Sequence, residues 1–169
     1  MWTMRATGSL RDERESFLLD GGAPYYRTYE TSDGGYMAVG SIEPQFFAQL
    51  CERIGLAPEW HAAQNDRMRW PQLREEMAAI FRGRTRDAWA ALLQDTDCCV
   101  APVLSLGEAA RHPHNSVRGT FVDVAGVSQP APAPRFSRTP SQAGQVAAQA
   151  TAGAEVLARW TREPAARSG

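Results

Sequence analysis

Glu43 is the acidic residue whose position in the sequence best suits catalysis. It ends the run YMAVGSIE and directly precedes Pro44, which is typical of the first position of a helix. A carboxylate there lies near the positive end of the helix dipole and, with Ile42 and Phe46 as apolar neighbours, is partly shielded from water. Such a group can orient or charge a partner, for example a histidine. The alternative interpretation is a solvated glutamate in the first helical turn.

Tyr26 is the second candidate, because the predicted hairpin brings it close to Glu43. The runs YYRTYE and YMAVGSIE flank the turn segment TSDGG, a pattern typical of two antiparallel strands. A turn centred near Asp33 and Gly34 places Tyr26 opposite residues 40 to 42. The neighbouring tyrosines, Tyr25 and Tyr29, are expected to pack in the core.

The histidines do not indicate a metal site. His112 and His114 lie in RHPHN, where Pro113 favours a turn, and no Cys, Asp or Glu completes a ligand set at the usual spacing. The sequence also has no phosphate-binding loop, dinucleotide fingerprint or G-x-S-x-G motif. No self-sufficient active site is therefore predicted.

The cysteines are expected to be structural. Cys98 and Cys99 lie in CCVAPVLS, which is predicted to form a buried strand, and buried thiols are seldom reactive. Three cysteines without a disulfide spacing indicate reduced thiols and a cytoplasmic protein.

A group of arginines could in principle meet a phosphate or an acidic neighbour. Their alternation around predicted helix ends more often produces a solvated face, which is the expectation here. The group comprises Arg67, Arg69, Arg74, Arg82, Arg84 and Arg86.

The composition is that of an ordinary globular protein of about one domain. The chain has 169 residues, of which 43% are hydrophobic and 22% charged, with a formal net charge of -1. A nucleic-acid-binding protein normally has a basic face, so this charge argues against nucleic acid as a partner. No apolar run approaches the ~20 residues that span a bilayer, so no membrane partner is predicted.

The elements that must position the candidates suggest an α+β fold with an antiparallel hairpin and packed helices. Residues 1–20 are predicted to form a linker segment. Its residues 1–19 are predicted to form a charged helix that ends before two glycines. Residues 21–127 form the small α+β domain, in which Pro44 begins a helix that stops at Gly55. Residues 128–169 form an extended Pro-rich arm, with a terminal helix from Ala147 to Trp160 and disorder after it.

The stretch GGAPYYRTYETSDGGYMAVGSIEPQFFAQLCERIGL resembles the family III CoA-transferases and, within them, the α-methylacyl-CoA racemase branch. The resemblance continues through TRDAWAALLQDTDCCVAPVLSLGEAARHPHNSVRGTF into PAPAPRFSRTP and covers about residues 10 to 157. What matches is the carboxyl-terminal, small-domain part of such enzymes. The resemblance implies that a missing α/β domain carries the catalytic aspartate and histidine, and that the enzymes form interlocked homodimers.

The resemblance also implies a reaction: 1,1-proton transfer at the α-carbon of a 2-methylacyl-CoA thioester. Glu43 matches the family glutamate that hydrogen-bonds the catalytic histidine, and Tyr26 matches a tyrosine of the same network. No cofactor is implied, since the CoA thioester is the substrate. Two alternatives stay open. One is CoA transfer between carboxylic acids, and the other is a non-catalytic interaction module that pairs with a longer relative.

Overall fold

The computed structural model describes residues 1–144 and 152–160. The chain divides into two compact units, Met1–Leu104 and Ser105–Gly169. Each unit combines helices with a small antiparallel sheet, so the predicted α+β class is confirmed. Among the described residues no helix is long and apolar enough to cross a membrane. The proposed division at residues 20 and 127 stays a prediction.

The first unit alternates short strands with helices. Its strands are β1 (Tyr26–Glu30), β2 (Tyr36–Gly40) and β3 (Val100–Pro102), arranged as one sheet in that order. Its helices are α1 (Trp2–Ala6), α2 (Pro44–Ile54), α3 (Glu59–Ala63), α4 (Trp70–Phe81) and α5 (Arg86–Leu93).

The β1–β2 hairpin follows the predicted pairing. Tyr26 lies opposite Gly40, and Glu30 lies opposite Tyr36. Between the strands, the Thr31 hydroxyl donates to the Asp33 carboxylate at 2.6 Å, and Gly34 adopts a φ of 75° that favours glycine. The turn chemistry thus sets the register that places Tyr26 at the open end of the hairpin.

The core lies on one face of this sheet, beneath the helices. The predicted helix from Pro44 is confirmed: α2 ends at Gly55, whose φ is 74°, and its apolar stripe is buried. The Tyr29 ring stacks on Phe81 at a centroid distance of 5.1 Å, and Phe81 contacts Trp89 at 5.2 Å. Tyr25 and Tyr29 are both buried, as predicted. Burial raises the pKa of the Tyr29 hydroxyl, which donates to the Pro24 carbonyl at 2.6 Å.

The helix predicted over residues 1–19 is wrong in extent. Only α1 is helical, because Gly8 and Glu15 adopt φ values of 72° and 57°, which a right-handed helix does not tolerate. The carboxylate of Asp20 accepts the backbone N–H of Phe17 and of Gly22, each at 3.0 Å, and so closes a turn instead. Phe17 is buried, so the segment packs on its own unit.

The strand predicted over CCVAPVLS is also shorter and less buried than expected. Cys98 is buried, but Cys99 is exposed and has a φ of 52°, which interrupts the extended backbone before β3 begins at Val100. The strand Val100–Pro102 then pairs with one edge of β2 and is only half-buried.

The second unit contains a short hairpin and three short helices among its described residues. They are α6 (Leu106–Ala109), α7 (Pro113–Val117), β4 (Phe121–Val124), β5 (Val127–Pro130) and α8 (Gly153–Trp160). The arm predicted from residue 128 therefore begins with a strand paired to β4. The predicted helix from Ala147 is described only from residue 153, and its earlier part and the predicted disorder after Trp160 lie outside the described residues.

Thr85 gives a test of local helix stability. Its hydroxyl accepts the N–H of Ala88 at 3.2 Å and so caps α5. We expect Thr85→Ala to lower the free energy of unfolding by about 1 kcal/mol, because that N–H loses its partner. Thr85→Ser keeps the hydroxyl and should unfold at nearly the wild-type urea concentration. Equal stability of the alanine and serine variants would contradict the capping role.

Candidate active-site groove

A groove of about 730 Å³ lies on the sheet of the first unit, along the face away from the core. Side chains alternate between the two faces of a sheet along each strand. Gly40, Ala38 and Ala101, together with the β1 residues paired with the first two, therefore lie on the same side. The floor is formed by Tyr26, Thr28, Ala38, Gly40 and Ala101, and Cys99 lies at one end. Small residues dominate the floor, which leaves the backbone accessible to a ligand.

The segment that precedes the hairpin supplies one wall of the groove, through Arg14, Glu15 and Asp20. Glu15 fixes this wall, since its carboxylate accepts hydrogen bonds from Arg27 at 3.3 Å and from Arg74 at 3.1 Å. Arg74 also donates to the carbonyl of Gly22 at 2.9 Å. The wall is thus joined both to β1 and to α4.

Glu43 lies at the junction between β2 and α2. Its backbone is extended, with φ of -72° and ψ of 137°, and its carbonyl accepts the N–H groups of Phe46 and Phe47. Its carboxylate does not cap the helix. The side chain is exposed, as in the alternative interpretation, and makes no hydrogen bond or ion pair with the residues that the structure describes. It is therefore available to a group from outside the chain.

Tyr26 and Glu43 lie at the same end of the sheet, but no hydrogen bond joins them within the described part of the chain. Tyr26 is half-buried, lines the groove and is paired with Gly40, three residues before Glu43. The predicted neighbourhood, Tyr26 opposite residues 40 to 42, is confirmed at the level of the backbone. Their roles stay a prediction.

Cys99 is a groove residue that the sequence interpretation missed. Its pKa is raised by partial burial, and then by the negative charges of Glu43 and Asp97. The Glu43 carboxylate therefore acts on the thiol at the end of the groove, although it is itself exposed. Cys51, in contrast, lies in the core, where burial raises its pKa to about 12. In the sequence, the polar residues Asp95 and Asp97 just before Cys99 are the signal that this segment is exposed.

The two histidines considered as metal ligands lie outside the groove residues of the first unit. His112 and His114 lie around the start of α7 in the second unit. Among residues 1–144 and 152–160, no three His, Cys, Asp or Glu side chains are grouped closely enough to hold a metal ion.

The arginines contact the chain's own groups. Arg69 lies over the Trp60 ring at 4.2 Å, and similar contacts join Arg67 to Trp70 and Arg84 to Trp89. Arg82 pairs with Glu30 at 3.9 Å, Arg74 with Glu15 at 3.1 Å and Arg86 with Asp87 at 3.1 Å. Most are solvated on one side and stacked or paired on the other. They do not converge on the groove.

Comparison with known proteins finds relatives of moderate sequence identity. Two relatives are named α-methylacyl-CoA racemase. The protein from Mus musculus is 42% identical over 142 residues, and the one from Homo sapiens is 38% identical over 143 residues. A Caenorhabditis elegans protein named CaiB/baiF CoA-transferase family protein ZK892.4 is 30% identical over 117 residues, which cover 68% of this chain and 33% of that protein.

The chain spans about a third of the length of these relatives. Each racemase match covers 83% of this chain but only 37% of the relative. A similar fold occurs in the crystal structure of Rv3272 from Mycobacterium tuberculosis, with a TM-score of 0.57 at 19% identity, over 68% of this chain and 33% of that one. The profile of CoA-transferase family III matches residues 1–154, and the chain therefore belongs to that family.

Proposed function

We propose that this chain is the small-domain part of an acyl-CoA racemase. The reaction is epimerisation of a 2-methylacyl-CoA thioester by 1,1-proton transfer at the α-carbon. The observation that carries the proposal is the identity of 38–42% to two proteins named α-methylacyl-CoA racemase, which extends over 83% of the chain. The groove with Tyr26 on its floor and Glu43 beside it supplies a surface on which such a substrate can lie.

Epimerisation requires a base on one face of the α-carbon and an acid on the other. Removal of the α-proton gives an enolate-like intermediate, whose developing oxyanion must be stabilised by nearby donors. In the proposal, a histidine and an aspartate from the part of the enzyme outside this chain exchange these protons. The chain itself orients the groups that act.

Glu43 is proposed to accept a hydrogen bond from the catalytic imidazole. Its carboxylate has no partner among the described residues, so no internal bond has to break before it binds the ring. A carboxylate on one ring nitrogen fixes the tautomer and raises the basicity of the other nitrogen. Such a charge-assisted bond contributes about 1.5–3 kcal/mol. Tyr26, on the adjacent strand end, is proposed to extend the same network with its hydroxyl.

The proposed partner is the large domain, which is supplied either by the same polypeptide or by a second subunit of an interlocked homodimer. The groove is open along the sheet face in this chain, and its floor and wall come from the first unit alone. Closing it with a second surface would exclude water from the reacting carbon, which strengthens the electrostatic interactions there.

A direct test compares this 169-residue chain with the chain joined to the large-domain part of a racemase relative. The joined protein should exchange the α-proton of 2-methylacyl-CoA with deuterium from solvent, followed by NMR, and should interconvert the two epimers. The chain alone should do neither, because the proposed base and acid belong to the large domain. Racemisation by the isolated chain would contradict the proposal.

The alternative, CoA transfer between carboxylic acids, is supported by the family to which the chain belongs and by the name of the nematode relative. That reaction passes through a mixed anhydride between the enzyme and the acid. Trapping such an anhydride with hydroxylamine in the joined protein, without α-proton exchange, would favour the alternative.

A further inference from the structure

Gln64 is a buried polar residue next to the segment that carries Glu43. It follows α3, and only 2% of it is exposed. Its side-chain amide nitrogen donates to the carbonyl of Ile42 at 2.9 Å and to that of Ser41 at 3.2 Å. These two residues directly precede Glu43, so one buried side chain holds both peptide groups that lead into it.

The backbone of Gln64 is itself held in place by a hydrogen bond. Its backbone carbonyl accepts the indole N–H of Trp70 at 2.9 Å, and Trp70 is buried at the start of α4. A buried side chain attached to a fixed backbone has few rotamers, so its amide points in one direction. Gln64 is therefore fixed both at its backbone and at its side-chain amide.

The opposite side of the same segment is tied to the strand that ends in the groove. The Ser41 hydroxyl donates to the carbonyl of Cys98 at 2.5 Å, and the N–H of Gly40 donates to that of Cys99 at 2.9 Å. Residues 40–42 are thus fixed between Gln64 and the residues that precede β3. The chain then enters α2, where the Glu43 carbonyl accepts two helical N–H groups.

We propose that Gln64 is a positioning residue, which fixes the direction in which the Glu43 side chain leaves the backbone and so aims it at the end of the groove. The inference rests on the proposed function, since it gives Gln64 a role in catalysis only through Glu43. Glu43 has no side-chain bond of its own within the described residues. The direction of its Cα–Cβ bond is therefore set by the backbone, and Gln64 holds the two peptide groups that lead into that backbone.

The thiol of Cys99 reports on this direction in the chain as it stands. Partial burial and the charges of Glu43 and Asp97 raise its pKa, with Cys98 as the other titratable neighbour. A carboxylate that moves away from the thiol lowers this pKa, because the thiolate is repelled less. Cys51 and Cys98 are buried, so an alkylating reagent acts on Cys99 in the folded protein.

The experiment measures the alkylation rate of Cys99 by iodoacetamide at pH 7.5. Glu43→Gln should raise the rate about two- to threefold, because loss of the negative charge lowers the pKa of the thiol by the small amount that is typical of an exposed charge pair. Gln64→Met, which has similar length but no donor, should raise it by a similar factor, and the double variant should show no further increase. Gln94→Met, at an exposed position after α5, is the matched control and should react like the wild type.

Two results would overturn the inference: a wild-type rate in the folded Gln64→Met variant, or a rate that rises equally when Glu43 is already glutamine. If Gln64→Met does not fold, Gln64→Asn retains the amide but cannot reach both carbonyls, and an intermediate rate is expected. In the joined enzyme, Gln64→Met should lower kcat with little change in KM. If Glu43→Gln leaves racemisation intact while the thiol results hold, the proposed role of Glu43 in catalysis fails and the positioning geometry stands; if the joined enzyme does not racemise at all, the proposed function fails while the thiol results still test the geometry.

Discussion

Phe81→Ala is expected to lower the free energy of unfolding by about 3–5 kcal/mol. Phe81 is fully buried and lies between the rings of Tyr29 and Trp89, so its removal leaves a cavity bounded by two large side chains. Part of that cavity stays open, because the Trp89 indole N–H is held by the backbone carbonyl of residue 81 at 2.8 Å and the ring cannot shift freely. Since small domains unfold with a total of about 5–15 kcal/mol, the variant loses much of its stability.

Urea unfolding followed by tryptophan fluorescence measures this effect, since Trp60, Trp70 and Trp89 are buried in the first unit. Phe136→Ala is a control with the same chemical change, because Phe136 is 53% exposed, and its effect should stay within about 0.5 kcal/mol. A loss below 1 kcal/mol for Phe81→Ala would show that the three rings do not pack together in solution.

Glu43→Gln in the joined enzyme should lower kcat for epimerisation on the order of 100-fold, at the lower end of the range for general acid–base groups. The amide keeps the size of the side chain but removes the charge that stabilises an imidazolium. Binding of the thioester should change little, since the carboxylate is proposed to contact the imidazole and not the substrate. Steady-state kinetics on both epimers separate kcat from KM.

Glu52→Gln supplies the matched comparison. Glu52 lies in α2, the helix that begins directly after Glu43, and is also exposed and carries the same charge, but it lies in the last part of that helix. Its replacement should leave kcat within about twofold, in line with the small effects of surface substitutions. Equal losses for the two variants would show that net charge, and not the position of Glu43, matters.

The features that the sequence predicts well are those fixed by local chemistry. The turn residues between β1 and β2 set the pairing of Tyr26 with Gly40, and the apolar spacing after Pro44 sets the buried stripe of α2. Both signals act over fewer than a dozen residues, and a single strong turn or helix stop fixes each of them.

The features that the sequence predicts poorly depend on contacts between distant segments. The polar run near Glu15 has the composition of a helix, yet its pairing with Arg27 and Arg74 stabilises a turn. Cys99 lies among apolar residues, but its left-handed backbone exposes it.

Gln64 shows the same limit within the site. Its role depends on carbonyl groups 22 and 23 residues away, and no local pattern indicates them. The role of Glu43 was likewise suggested by family resemblance, since its position alone is equally compatible with a solvated side chain.

The sheet of the first unit carries the aromatic core on one side and the groove on the other. Residues alternate between the two sides along each strand, so Tyr29 and Met37 belong to the core while Thr28 and Ala38 belong to the groove. Substitutions can therefore change every second position of β1 and β2, and so the surface of the groove, while the intervening positions preserve folding. A library that randomises only these groove positions would therefore alter the groove without altering the core.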